Sequence, residues 1–141
     1  MANNSAMDGG LVPVHGGLKQ PVDRRIPLSE RKAFLSEAEK LPSVGVSNAE
    51  LSTVYRIADG TLSPLEGPMV EESWHRALDE SVIAREGKNY AWTIPLSLPL
   101  TDSEANSLSS GASATIRNEA GEPVAIVDSA SIFEWDKPKY V

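Results

Sequence analysis

Cysteine is missing altogether from the 141 residues. Disulfides, thiolate-bound metals and a cysteine nucleophile are excluded at once, and a reducing compartment suits the chain. Histidine is nearly missing too, with only His15 and His75, far apart and sharing no motif. Basic residues are outnumbered, 13 lysines and arginines against 20 aspartates and glutamates, which leaves a net charge of -7. Neutralising phosphates dominates nucleic-acid affinity, so no nucleic-acid partner is expected of such a surface. No apolar run approaches the roughly 18 residues that span a bilayer, and no membrane partner is expected. The start, "MANNSAMDGG", lacks the basic and apolar regions of a secretory signal, so the chain reads as cytoplasmic. A GxSxG nucleophile elbow is absent as well, which leaves a self-contained serine hydrolase poorly supported.

What remains fits one domain, since 40% hydrophobic residues over this length suffice for one core and not comfortably for two. Residues 1–28 carry glycine and proline at close spacing without a regular period, as an extended arm with a short strand expected over 11–14. A helix is predicted over 29–41, with Ser29 as its cap, Phe34, Ala38 and Leu41 on one face and Pro42 as its stop. "SNAE", beginning at Ser47, is a capping box, and Leu51, Val54, Tyr55 and Ala58 behind it form a helical stripe that Gly60 closes. Val70, Trp74, Ala77 and Leu78 make another stripe. Between these two helices lies "GTLSPLEGPM", whose Leu62, Leu65 and Met69 are expected to fill the angle while Pro64 and Pro68 hold its path rigid.

Downstream the period becomes two. In "WTIPLSLPL" the residues Trp92, Ile94, Leu96, Leu98 and Leu100 alternate with Thr93, Pro95, Ser97 and Pro99, which predicts a strand over 92–100 with its prolines on the outer face. "TDSE", from Thr101 to Glu104, caps a short helix ending near Gly111, and strands are predicted over 115–117 and 124–132 about a turn at Gly121. Helices first and strands last give an α+β domain with a small, mostly antiparallel β-barrel and flanking helices. The charged stop "DKPKYV" reads as an interrupted chain.

Each candidate site has a plain structural alternative. His15, Gly16 and Gly17 could cradle an anion through backbone amides, but a glycine pair more simply lets the arm turn. Arg24 and Arg25 could hold an oxyanion in bidentate fashion, and with Asp23 beside them a docking ion pair serves equally. His75, with Glu71, Glu72 and Asp79 nearby in sequence, offers too few converging ligands for zinc. Trp74, Trp92 and Trp135 could stack bases, yet their periodicities place them in the core first. Arg117 and Asn118 in "TIRNE" carry no catalytic weight. No catalytic residue and no metal ligand is therefore assigned, and the substrate-binding residues stay unknown.

In this order and spacing, "PVHGGL", "LPSVGVSNAELSTVYRIADGTLSPLEGPM", "WTIPLSLPL" and "GEPVAIVDSASIFEWDK" resemble the N-terminal domain of ATP sulfurylase, or sulfate adenylyltransferase. The middle motif departs from the family's GxFSPLxGFM, since Leu62 and Pro68 stand where phenylalanine is usual. The resemblance implies a PUA-like barrel with helices over 29–136, and 137–141 as the start of a linker to a catalytic domain of nucleotidyltransferase type. There sulfate attacks the α-phosphorus of ATP, giving adenosine 5'-phosphosulfate and pyrophosphate. The family's glutamine-x-arginine-asparagine motif and its two histidines are absent here, so this chain alone is predicted inactive, without a cofactor of its own. Mg-ATP is expected for the parent enzyme. The implied partners are the catalytic domain of the same enzyme and further copies of the parent in a homo-oligomer. A free-standing PUA-like module that binds RNA, and a non-enzymatic scaffold in sulfur assimilation, are the alternatives.

Overall fold

Two four-residue motifs fix where two of the helices begin. The computed structural model describes residues 12–128, 131–135 and 137–140. In it the helix Asn48–Ala58 starts at Ser47, whose side chain accepts the Glu50 amide while the Glu50 carboxylate accepts the Ser47 amide at 2.6 Å. The same reciprocal pair, Thr101 and Glu104, opens the helix Asp102–Ser107. Each box satisfies amides that an α-helix leaves unpaired at its N-terminus. In chain order the helices are α1, Arg31–Ala38; α2, Asn48–Ala58; α3, Glu71–Glu80; α4, Asp102–Ser107; and α5, Lys137–Tyr140.

The first helix is shorter than the sequence suggests. A 3₁₀ turn, Leu28–Glu30, precedes α1, no side chain caps it, and Ser29 therefore does not play that part. The α-helix ends at Ala38, ahead of Leu41 and the stop expected from Pro42. In α2 the inward face is Val54 and Ile57, while Tyr55 is 51% exposed and leaves the predicted stripe. In α3 Trp74 and Ala77 are buried, as their spacing predicts.

Among the described residues the strands, numbered in chain order, are β1, Ser43–Gly45; β2, Val82–Arg85; β3, Lys88–Ala91; β4, Ser113–Arg117; and β5, Pro123–Asp128. A three-stranded sheet has the order β1-β4-β5, with β1 parallel to β4 and β5 antiparallel to it. The hairpin β2-β3 stands as a separate two-stranded sheet. Helices and strands are thus interleaved rather than segregated. Two of the three pairings are antiparallel, but no closed barrel is present among the described residues. β1 and the hairpin are elements that the sequence reading passes over. The hairpin has a legible signal: Glu86 and Gly87 both adopt positive φ, as a two-residue turn between twisted strands requires. The strand predicted over 124–132 ends at Asp128; residues 129 and 130 lie outside the described residues, and Ile132 is in no strand.

The largest departure is the segment 92–100, which forms no strand. Pro95 and Pro99 remove two of its amide donors, and Pro95 is buried instead of facing outward. Ile94, expected inside, is 58% exposed. The segment acts as a strap between two cores. Leu96 packs on the cluster of Leu65, Met69, Trp74, Ala77 and Ile83, and its carbonyl accepts the Met69 amide at 2.8 Å. Leu98 packs on the second cluster, Val46, Val54 and Ile116. Residues two apart on a strand would share one face; here they serve different cores.

Glu104 ties α4 to the edge of the sheet. Beyond its cap it accepts the Gly45 amide of β1 at 2.8 Å, which covers an otherwise open edge donor. Burial pushes its carboxyl up, but bonds from the Gly45 and Thr101 amides and the Thr101 hydroxyl outweigh this and hold it below the ordinary carboxylate value. A depressed folded value means stability that is present above the unfolded pKa and lost as pH falls through the folded one. Glu104→Gln is expected to lose about 0.5–2 kcal/mol at neutral pH. In urea titrations the gap to the parent chain narrows as pH drops below the ordinary carboxylate range, and a gap independent of pH contradicts this role.

Candidate functional site

The arm, the connector and the hairpin meet at one junction, where His15, Gly16, Gly17, Arg24 and Trp92 fall. The arm makes a 3₁₀ turn at His15–Gly17, and residues 12–14 carry no strand; Leu11 lies outside the described residues. The His15 Nε2–H donates to the Ala91 carbonyl at 2.8 Å, which fixes the proton on that nitrogen. Its ring lies edge-on to Tyr90 and stacked with Trp92, at centroid distances of 6.0 and 6.2 Å. Gly16 and Gly17 both have positive φ, and a Cβ at either would run into Pro64 or the Tyr90 hydroxyl. The "HGG" turn is a docking device.

From there the arm runs across the connector. Ser63 is buried, and its hydroxyl donates to the Gly60 carbonyl at 2.6 Å and accepts the Val22 amide at 2.9 Å. The Arg24 amide donates to the Ala58 carbonyl at 2.8 Å, and its guanidinium pairs with Glu66 at 2.7 Å. Gly60, at φ +86°, lies against the Val22 carbonyl, which leaves no room for a side chain. Leu65 and Met69 are buried in the first core, Leu62 is half-buried, and the Ser63–Pro64 peptide is cis. Leu65 and Met69 pack as expected, Leu62 only in part and in neither core, and one polar residue, Ser63, is as buried as Leu65 and Met69.

The remaining candidates do not assemble into a reactive centre. Arg25 donates to Asp23 through its side chain and its amide, which hold the Asp23 carboxyl at about 2. Arg76 pairs with Glu80, Arg85 with Glu86 and Arg117 with Glu39, so each of these guanidiniums already faces a carboxylate. Arg117 also donates to the Ser43 hydroxyl and the Gly121 carbonyl, clamping β1 to the β4-β5 turn. Asn118 folds that turn by accepting the Ala120 and Glu122 amides. The Nδ1 of His75 is buried without a hydrogen-bond partner, its ring against Trp74 and Phe133. No group of three or more metal-ligating side chains converges among the described residues. Trp74 and Trp92 belong to or pack on the first core, and Trp135 is 55% exposed.

Sequence reasoning missed a groove of about 1240 Å³ between the strap, α4, β5 and residues 131–135. Its floor includes Met69, Leu96, Leu98 and Phe133, and its charged lining residues are Glu50, Asp102, Asp128 and Glu134. Among the described residues no lysine, arginine or histidine lines it. Such a lining repels polyanions, so neither sulfate nor the triphosphate of ATP fits it. The signal was diluted in sequence, because these acids come from four separate segments.

Ser63→Ala tests the junction. It strands the half-buried Val22 amide, while the Gly60 carbonyl keeps only the Ser63 amide, at an expected cost of about 1 kcal/mol. Trypsin is then expected to cut at the exposed Lys19 faster than in the parent chain. An unchanged denaturation midpoint with unchanged cleavage contradicts the junction's role.

A family model described as a PUA-like domain matches residues 12–141. Among curated relatives, the sulfate adenylyltransferase of Pyropia yezoensis is 43% identical over 129 residues, covering 92% of this chain and 29% of that protein. The sulfate adenylyltransferase of Nostoc punctiforme is 34% identical over 125 residues, with 89% and 31% covered, and that of Staphylothermus marinus is 33% identical over 126 residues, again with 89% and 31%. The chain thus spans only about 30% of the length of the curated relatives it matches. By the match over residues 12–141, the chain belongs to the PUA-like domain family.

Proposed function

We propose that this chain is the N-terminal, non-catalytic domain of a sulfate adenylyltransferase, and that its work is to brace a catalytic region of the same polypeptide. The observation that carries the reading is the charge of the groove beside β5, which has carboxylates and no cation along its described lining. Adenylyl transfer needs cationic groups around the α-phosphate to stabilise charge in the transition state. Here five arginines are spent on carboxylates of the same chain. The names and lengths of the relatives support the same division of labour. On this reading residues 1–28 are the arm, 29–136 the domain and 137–141 the start of a linker, while Mg-ATP, sulfate and contacts within a cytoplasmic homo-oligomer belong to the whole enzyme.

The purified chain with ATP, Mg²⁺ and molybdate, which stands in for sulfate, is expected to release no pyrophosphate above a control without protein. Release that disappears in His15→Ala or Arg24→Ala puts the active site in this domain and overturns the proposal.

A further inference from the structure

We infer that the acidic groove beside β5 is the docking site for a lysine- or arginine-bearing, apolar-anchored segment of the catalytic region that the proposed function assigns to the same polypeptide. The inference rests on that reading. The floor of the groove is apolar, with Met69, Leu96, Leu98 and Phe133 only partly covered or at its base. At the rim Asp102, Asp128 and Glu134 are exposed, and Glu50 adds a fourth carboxylate. A partner that suits both features needs apolar side chains to displace water from the floor and cations to answer the rim. Glu50 already caps α2 and Asp128 accepts the Ser113 hydroxyl, so an uncharged partner would leave Asp102 and Glu134 beside a desolvated surface, and an acidic one would be repelled.

Position favours the same polypeptide over a separate protein. Residues 131–135 lead on from β5 and form one wall of the groove, and the Lys137 amide of α5 already bonds back to the Trp135 carbonyl at 2.9 Å. A polypeptide continuing past α5 therefore sets out from the groove's own wall, where a short tether gives a high effective concentration. The relatives have the required length, since this chain accounts for only 29% to 31% of theirs. A second copy of this chain is a poor occupant, because its net charge of -7 opposes the rim.

The absence of cysteine provides the test. Ser97 is exposed and lines the groove, whereas Ser52 is exposed on α2 and does not line it. Ser97→Cys and Ser52→Cys are each made in the chain alone and in a polypeptide where this chain replaces the aligned residues of the Pyropia yezoensis relative. Maleimide labelling is read at each site by mass spectrometry. At position 97 labelling is expected to be about tenfold slower or more in the joined polypeptide, and at position 52 equal in both. Adding Glu134→Lys with Asp102→Lys, or raising the salt, is expected to restore labelling at 97. Equal labelling at 97 overturns the docking site. Protection that ignores both charge reversal and salt overturns the cationic occupant, and protection in the chain alone that grows with its concentration assigns the groove to a second copy. None of these outcomes depends on whether the chain alone releases pyrophosphate, so failure here is distinct from failure of the supporting-domain reading.

Discussion

The hydroxyl of Ser63 joins three parts of the fold, beside the bond from the Arg24 amide to the Ala58 carbonyl and the Arg24–Glu66 pair. By donating to Gly60 and accepting from Val22 it holds the end of α2, the connector and the arm in one arrangement. The glycines around it then become requirements. Gly60 lets the Val22 carbonyl pass, and Gly16 lets the arm close over Pro64. With the arm seated, His15 reaches the Ala91 carbonyl and the hairpin is tied to the same junction. Burial of Leu65 and Met69 in the first core adds apolar stabilisation, and the hydroxyl adds direction.

Local chemistry was legible in the sequence wherever a few adjacent residues decide the outcome. Both capping boxes formed, because a Ser or Thr and a Glu three residues on satisfy each other's amides without tertiary help. The stripe of α3 held, because Trp74 and Ala77 have a core to enter. The strand over 92–100 failed for a tertiary reason: alternation counts apolar side chains but not the amides lost at Pro95 and Pro99, nor the existence of two cores for Leu96 and Leu98. The expected barrel failed with it. β1 is only three residues long, and its pairing to β4 is parallel, across a long stretch of sequence that carries no local signal. The site followed the same rule. The "HGG" turn could be read as a place where the arm bends, while the groove, built from separated segments, could not.

Function follows from where charge is spent. The arginines that might have gripped an oxyanion face carboxylates of their own chain, and Asp102, Asp128 and Glu134 stand exposed around an apolar floor. A surface of that kind is suited to holding polypeptide rather than nucleotide. Belonging to the PUA-like family fits a supporting part as well as a binding one, since a fold hosts functions without dictating them.

The claim on which the account turns is that arm and connector form one cooperative unit with the core. Native-state hydrogen exchange at the Val22 and Arg24 amides tests it most directly, since both are held by bonds that cross the junction. They are expected to exchange as slowly as the Trp74 amide in α3, all three opening together as denaturant rises. Exchange at Val22 and Arg24 as fast as in an unstructured peptide, with Trp74 still protected, would contradict it.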